Sequence, residues 1–316
     1  MRSSLKKIFI VGVLLVGLNI QAQQEAMITQ FALNMMSINP GYAGYREVQS
    51  FAFVHRSQWV GYKGAPVTDI LAFDMALKRK ELAIGGSIMN DKIGPSSELG
   101  VTANFAYRLK VTPTSTLSLG LQAYGGTYQA NLTDLALVSE YVGSEIDQNF
   151  DQNPDNIFLP NFGFGAFYHN KKSFVGLSSP KLLRNRLDNA TIELIRSQDG
   201  RTEPTYFFAA GHTITLDREY ALQPVMISKA TAGAPISLGG YLNFLFKDIF
   251  KVGLVYYHQE VAGILTELKL NHRMRVGYSF DMPITGLATY SYGSHEISAT
   301  YEMKVFKQRL VYSRRF

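Results

Sequence analysis

"RMRVGYSFD", Arg273–Asp281, decides the architecture of this chain. If the backbone is extended, Arg273, Arg275, Gly277, Ser279 and Asp281 share one face, and Met274, Val276, Tyr278 and Phe280 share the other. A period of two with one apolar and one polar side is a β-strand with a single greasy face. The same pattern recurs outward from this stretch. In "STLSLGLQAY" (115–124), Leu117, Leu119, Leu121 and Ala123 oppose Thr116, Ser118, Gly120, Gln122 and Tyr124. Residues 236–247 alternate likewise, with Leu245 as the exception. Near the end, Ile297, Ala299, Tyr301 and Met303 oppose Glu296, Ser298, Thr300 and Glu302.

Alternation alone fits a soluble sandwich as well as a membrane barrel, so the rest of the chain must choose. Arg2, Lys6 and Lys7 precede an apolar run, Ile8–Ile20, and Ala22 stands before Gln23; this is the layout of a secretory signal peptide, 1–22. There are 27 Gly, 18 Tyr and 20 Phe, many inside the alternating segments, and only 18% of residues are charged, against roughly 25% in soluble domains. The chain has no cysteine, so neither lipid attachment through cysteine nor disulfides enter the fold. The net charge of +6 is dispersed rather than clustered, which argues against nucleic acid as a partner.

Fourteen strands can be drawn, at about 47–57, 66–77, 81–90, 97–110, 115–128, 159–169, 172–179, 203–214, 219–230, 235–247, 250–258, 261–270, 272–281 and 288–305. With the N-terminus periplasmic, the turns "LKRKEL", "KVTPTST", "HNKK", "LDRE", "FKDIF" and "KLNH" all fall at one end. The longest connections, 129–158 and 180–202, fall at the other. Short turns opposite long loops, together with an even strand number, define an all-β transmembrane antiparallel up-and-down β-barrel in the outer membrane, in contact with its lipid. The expected layout is a signal peptide (1–22), an N-terminal periplasmic or plug segment (23–46), the barrel (47–305) and a periplasmic tail (306–316). The tail follows from Arg314 and Arg315, adjacent charges that put one arginine toward lipid in either register if Phe316 ended a strand. Its alternative is a strand extension whose arginines snorkel to the interface.

The segment before the first strand, "QFALNMMSINPGYAG" (30–44), is broken by Pro40, Gly41 and Gly44. It resembles the N-terminal signature of the PorP/SprF family, outer-membrane proteins of the Bacteroidetes type IX secretion system, in Gln30, Phe31, Asn39, Pro40, Tyr42, Ala43 and Gly44. Gly41 replaces the family's common alanine. "RSQWVGYKGAPVT", with Arg56, Gln58, Trp59, Gly61, Gly64, Pro66 and Thr68, resembles the family's Arg-x-Gln-Trp block. "GGSIMNDKIGP" (with Asn90 and Asp91), "PNFGFGAFY", "SFVGLSSPKLL" and "YSYGSHEISATYEM" resemble further blocks in the family's order. The resemblance implies work with the type IX machinery at the outer membrane, in protein secretion or gliding motility. The implied partners are a secreted adhesin-like protein bearing a type IX C-terminal domain, and periplasmic secretion components. Two roles stand for the 30–44 segment: a lumen plug at the barrel's lower mouth, or a partner contact. Gln30, Asn39, Pro40, Tyr42, Arg56, Trp59, Pro66, Asn90 and Asp91 are the residues on which either would rest. The acidic loop "SEYVGSEIDQNFDQNPDN" offers a docking surface on the outer side, or is simply an outer loop.

No catalytic, cofactor or metal site is read from the sequence, and no enzyme is expected. Gly163-x-Gly165 lacks the third glycine and the helix of a dinucleotide loop. "HEISA" lacks a second histidine four residues on. The six histidines (55, 169, 212, 258, 272, 295) have no ligand spacing. Ser294 and His295 are neighbours on a strand and point to opposite faces, and Ser298 lies across from His295. Asn131 and Asn189 open glycosylation-like triplets, a pattern common by chance. Glu267, Arg273, Arg275, Glu296 and Glu302 take polar faces and would enter the lumen, either lining a porin or small-solute channel or forming an internal ion-pair network.

Overall fold

The computed structural model describes residues 28–33, 35–77, 81–131, 153, 156–184 and 203–303. The leader, most of both long connections and the C-terminal tail lie outside the described residues. A short N-terminal segment carries a 3₁₀ turn (Phe31–Leu33), one helical turn α1 (Met35–Ile38) and a second 3₁₀ turn (Pro40–Tyr42). The strands follow: β1 (Gln49–Ser57), β2 (Val67–Ala76), β3 (Leu82–Ile93), β4 (Ser96–Lys110), β5 (Thr116–Ala130), β6 (Ile157–His169), β7 (Ser173–Ser179), β8 (Thr205–His212), β9 (Ile214–Thr215), β10 (Tyr220–Thr231), β11 (Ser237–Phe246), β12 (Phe250–Tyr257), β13 (Val261–Lys269), β14 (Met274–Pro283) and β15 (Ser294–Met303).

All pairings are antiparallel between neighbours in sequence, and β15 pairs with β1 from Gln49↔Met303 to Ser57↔His295, which closes the cylinder. β8 and β9 both pair with β10 in one continuous register (Val225↔Gly211, Ala221↔Thr215), so they form one stave interrupted at Thr213. The interruption lies beside Pro224, which has no N–H to give the ladder. The barrel therefore has fourteen staves. Closure leaves no unpaired edge, the condition for a sheet to cross lipid.

Each stave alternates as its sequence does. Along β5, Ser118, Gly120, Gln122 and Tyr124 are buried; Gln122 is 4% exposed, whereas Leu119 and Leu121 are 47% and 64% exposed. The outward set, including Phe53, Leu71, Ile88, Val101, Phe105, Phe164, Leu177, Leu242, Leu254 and Ile297, is the apolar band that faces lipid. Leu245, the exception to its strand's pattern, faces inward and is buried. The final stave begins at Ser294 rather than near 288. Residues Gly286–Thr289 form a 3₁₀ turn, and Tyr292 and Gly293 are held by the β1–β2 loop (Tyr292 N to Val60 O, 2.7 Å; Val60 N to Gly293 O, 2.8 Å). β7 is the shortest full stave. After Ser179 the chain turns inward, where the Pro180 carbonyl accepts from Gln122 Nε2 at 3.3 Å and Asn161 Nδ2 donates to Leu183 O at 2.9 Å.

Candidate functional site: the occupied lumen

Residues 28–33 and 35–47 thread the barrel interior, and their side chains join its core. Ile28, Phe31, Met35, Met36, Tyr42, Ala43 and Tyr45 are buried against the inward faces of the staves. Asn39 opens the turn that Pro40 favours: its Oδ1 accepts from Gly41 N at 2.9 Å, while its Nδ2 donates to the wall at Ala166 O (3.1 Å). Phe31 lies on Tyr241, with ring centroids 4.7 Å apart. Tyr42 packs edge-on against Phe167 (5.4 Å) and beside Tyr45 (5.1 Å). The void left between Phe31, Met35, Tyr42, Phe167, Phe174, Gln223, Val225 and Asn243 is about 20 Å³, room for about one water.

Polar contacts pin both ends of this plug. At its upper end, Glu296 accepts from Thr29 N (2.9 Å) and Gln30 N (2.8 Å), and Ser298 donates to Gln30 Oε1 (2.6 Å). Arg56 Nη1 bridges Thr29 Oγ1 (2.8 Å), Asp281 (2.8 Å) and Glu296 (3.1 Å), and Thr29 also donates to Asp281. Asp281 and Glu296 are fully buried, and the arginine between them is the counter-charge that makes their burial tolerable. At the lower end, Asp74 accepts from Gly44 N (3.0 Å), Arg46 pairs with Glu302 (3.0 Å), and Arg108 pairs with Glu47 (3.0 Å). A further inner cluster joins Lys251 and Arg275 to Glu267 at 2.8 and 3.4 Å.

Strand glycines make room for the plug. A Cβ on Gly120 would strike the backbone of Pro40 and Gly41, one on Gly165 would strike Asn39 Oδ1, one on Gly85 would strike Met36 Sδ, and one on Gly277 would strike Gln30 Oε1. Gly165 is thus a seat for the plug, as Gly163 is for the inward-turning Pro180.

Gln30, Asn39, Pro40, Tyr42 and Arg56 come together in this assembly; the other sequence candidates do not. Trp59 and the buried Pro66 belong to the β1–β2 loop, where Trp59 N donates to Ser294 Oγ (3.2 Å). Asp91 faces the lumen and accepts from Thr68 (2.5 Å), but Asn90 is exposed on the outer face, as its position next to Asp91 on a strand requires. Of the expected lumen charges, Glu267, Arg275, Glu296 and Glu302 are ion-paired inside. Arg273 is not among them: it is exposed in the turn before β14, because the strand starts one residue later. The plug also reaches higher than a lower-mouth plug would, since Thr29 and Gln30 lie level with Arg56 near the end of β1. Asp74, Arg108 and Ser298 were missed by the sequence reading; their inward parity was readable, but their contact with the plug was not.

Among solved structures, CymD, a monoaromatic hydrocarbon channel, is 10% identical with a TM-score of 0.50, covering 86% of this chain and 93% of its own. A TodX monoaromatic hydrocarbon channel mutant is 9% identical with a TM-score of 0.50, covering 87% and 94%. These likenesses show the fold alone, an outer-membrane barrel. No curated protein matches the chain. A family profile described as "Type IX secretion system membrane protein PorP/SprF" matches residues 20–301. The chain belongs to the PorP/SprF family of type IX secretion system membrane proteins, and its place is the outer membrane.

Proposed function

We propose that this barrel is an outer-membrane partner of the type IX machinery that supports export or surface retention of a large adhesin-like protein through that protein's C-terminal domain. A link from the same barrel to periplasmic secretion or gliding components belongs to this reading. It rests on the family membership together with one observation: the chain's own residues 28–33 and 35–47 occupy the lumen and are tied to β1, β2, β4, β6, β14 and β15. A barrel whose interior is occupied and ion-paired serves better as a docking platform than as a route for solutes. The rival reading, a porin or small-solute channel, needs a water-filled bore, whereas Phe31, Met35, Met36, Tyr42 and Tyr45 pack inside the cylinder as part of its core. Affinity purification of the full-length protein with the C-terminal domain of a co-expressed type IX substrate tests the proposal. Retention of that domain through washing is the expected result; no retention, combined with steady single-channel openings of the intact protein in a planar bilayer, favours the porin.

A further inference from the structure

On the outer face of the barrel, three side chains form a hydrogen-bonded relay that nothing in the secretion role requires. Ser57 Oγ lies 3.2 Å from His55 Nε2, and His55 Nδ1 lies 2.7 Å from Asp69 Oδ1. His55 and Ser57 are two apart on β1 and so share its outward face; Asp69 is the register partner of His55 on β2. The Asp69 carboxylate accepts from Nδ1–H, which leaves Nε2 as the proton acceptor facing the serine hydroxyl. The order nucleophile, base, orienting carboxylate is recognised by geometry rather than by sequence spacing.

A second histidine lies on the neighbouring strand. His295 on β15 is the register partner of Ser57 on its other side, which places the two Cβ atoms about 5 Å apart on one face. Tyr278 Oη is 2.7 Å from His295 Nδ1, and the His295 ring packs beside Tyr278 and Phe280 of β14. The site therefore holds a serine with a base on one flank and a second imidazole on the neighbouring strand. The frame is firm, because β1 is paired on both sides and the rim above it is tied by the Val60–Gly293 and Tyr292–Val60 hydrogen bonds.

The surroundings indicate the substrate. Apolar side chains lie below the relay (Phe53 and Leu71) or level with His55 (Ile297), and aromatic ones lie above it at the loop end (Trp59, Tyr62, Tyr290 and Tyr292, the last two 70% and 78% exposed). Aromatic residues mark the membrane–water interface in barrels, so the relay lies at the depth of lipid ester groups. His55 and Asp69 are about 40% exposed, open to a molecule arriving from the bilayer.

We propose that Ser57, His55 and Asp69 form an acyl-ester hydrolase site for glycerophospholipids on the outside of the barrel. Ser57 Oγ attacks the ester carbonyl while its proton passes to His55 Nε2. The C–O bond to the glycerol oxygen breaks, and His55 returns the proton to that alcohol. Water, deprotonated by His55, then attacks acyl-Ser57, releasing the fatty acid and restoring the serine. The sum is ester plus water to acid plus alcohol, with no oxidant, metal or cofactor in the balance. Asp69 is a positioning residue that holds the imidazole tautomer.

The test is a fluorophosphonate probe applied to the full-length protein in vesicles of phosphatidylethanolamine and phosphatidylglycerol, with peptide mass spectrometry and a parallel measurement of released fatty acid. Heat-modifiable migration shows that each variant is folded. The expected result is covalent label on Ser57 and fatty-acid release from the unaltered protein, with neither from Ser57→Ala. His55→Asn lowers the labelling rate at least about 100-fold, and Asp69→Asn lowers it while Asp69→Glu restores part. A folded, unaltered protein that carries no label on Ser57, or fatty-acid release equal in Ser57→Ala, overturns the assignment. Labelling of Ser57 that is unchanged in His55→Asn overturns the relay.

Discussion

A single hydrogen-for-methyl replacement is enough to test whether the plug is seated as described. Gly120 faces Pro40 and Gly41 so closely that an added Cβ would collide with plug backbone rather than with a movable side-chain tip. Gly120→Ala is therefore expected to lower the melting temperature and to produce channel openings in a planar bilayer that the unaltered protein lacks; a silent bilayer and an unchanged melting curve would place the plug elsewhere. Arg56 offers the electrostatic counterpart. Arg56→Ala leaves Asp281 and Glu296 buried without their cation, which costs on the order of 3–5 kcal/mol, to be read as a shift in the urea midpoint of refolding into lipid. At this scale the sequence was legible as parity. It told which way Glu296 and Gln122 point, but parity does not say whether an inward group meets water, another wall residue or a threaded segment. The relay of Ser57, His55 and Asp69 was hidden for a related reason. Its members lie two apart on one strand and opposite on the next, so only the β1–β2 register brings them together.

Among the elements, β5 carries the cleanest contrast between faces. An arginine at Leu121, flanked on the lipid face by Phe105 and Phe164, is expected to cost about 2–4 kcal/mol of folding free energy in lipid. Gln122→Ala removes one donor to the Pro180 carbonyl and is expected to cost about 1 kcal/mol. Equal costs in a vesicle refolding titration would contradict the register. The strands were legible in the sequence because their period is strict and their ends are marked by turn residues, as the close agreement at β4, β6 and β13 shows. The plug was less so. Its turns could be placed at Asn39–Pro40, but the segment has no period, and its depth in the lumen depends on Glu296 and Asp281, more than 250 residues away by the separations of the Thr29 contacts. β15 was drawn too long because "TYSYG" has the composition of a strand while serving as a rim.

For the molecule as a whole, the alternation of short and long connections sets its orientation. Gly233 lies in the β10–β11 turn, on the same end as the β1–β2 loop, with φ of +79° and open space around its Cβ position. An epitope inserted there is expected to be reached by antibody on intact cells. One inserted at Asp248, in the β11–β12 turn, should be reached only after permeabilisation, and the reverse pattern would invert the barrel. The closed cylinder was legible from the even strand number and from the grouping of short turns at one end. The identity of what docks on it is not a matter of backbone period at all.

The contacts of the plug also bear on the order in which this barrel can be made. Thr29 and Gln30 belong to the first part of the chain to be delivered, yet their partners Asp281 and Glu296 lie on the last two staves, and Arg56 between them belongs to the first. Arg56 reaches Asp281 and Glu296 only across the seam that β1 makes with β15. Closing that seam is therefore also the step at which two buried carboxylates meet their cation, and the upper fastening of the N-terminal segment is a latch on the finished cylinder.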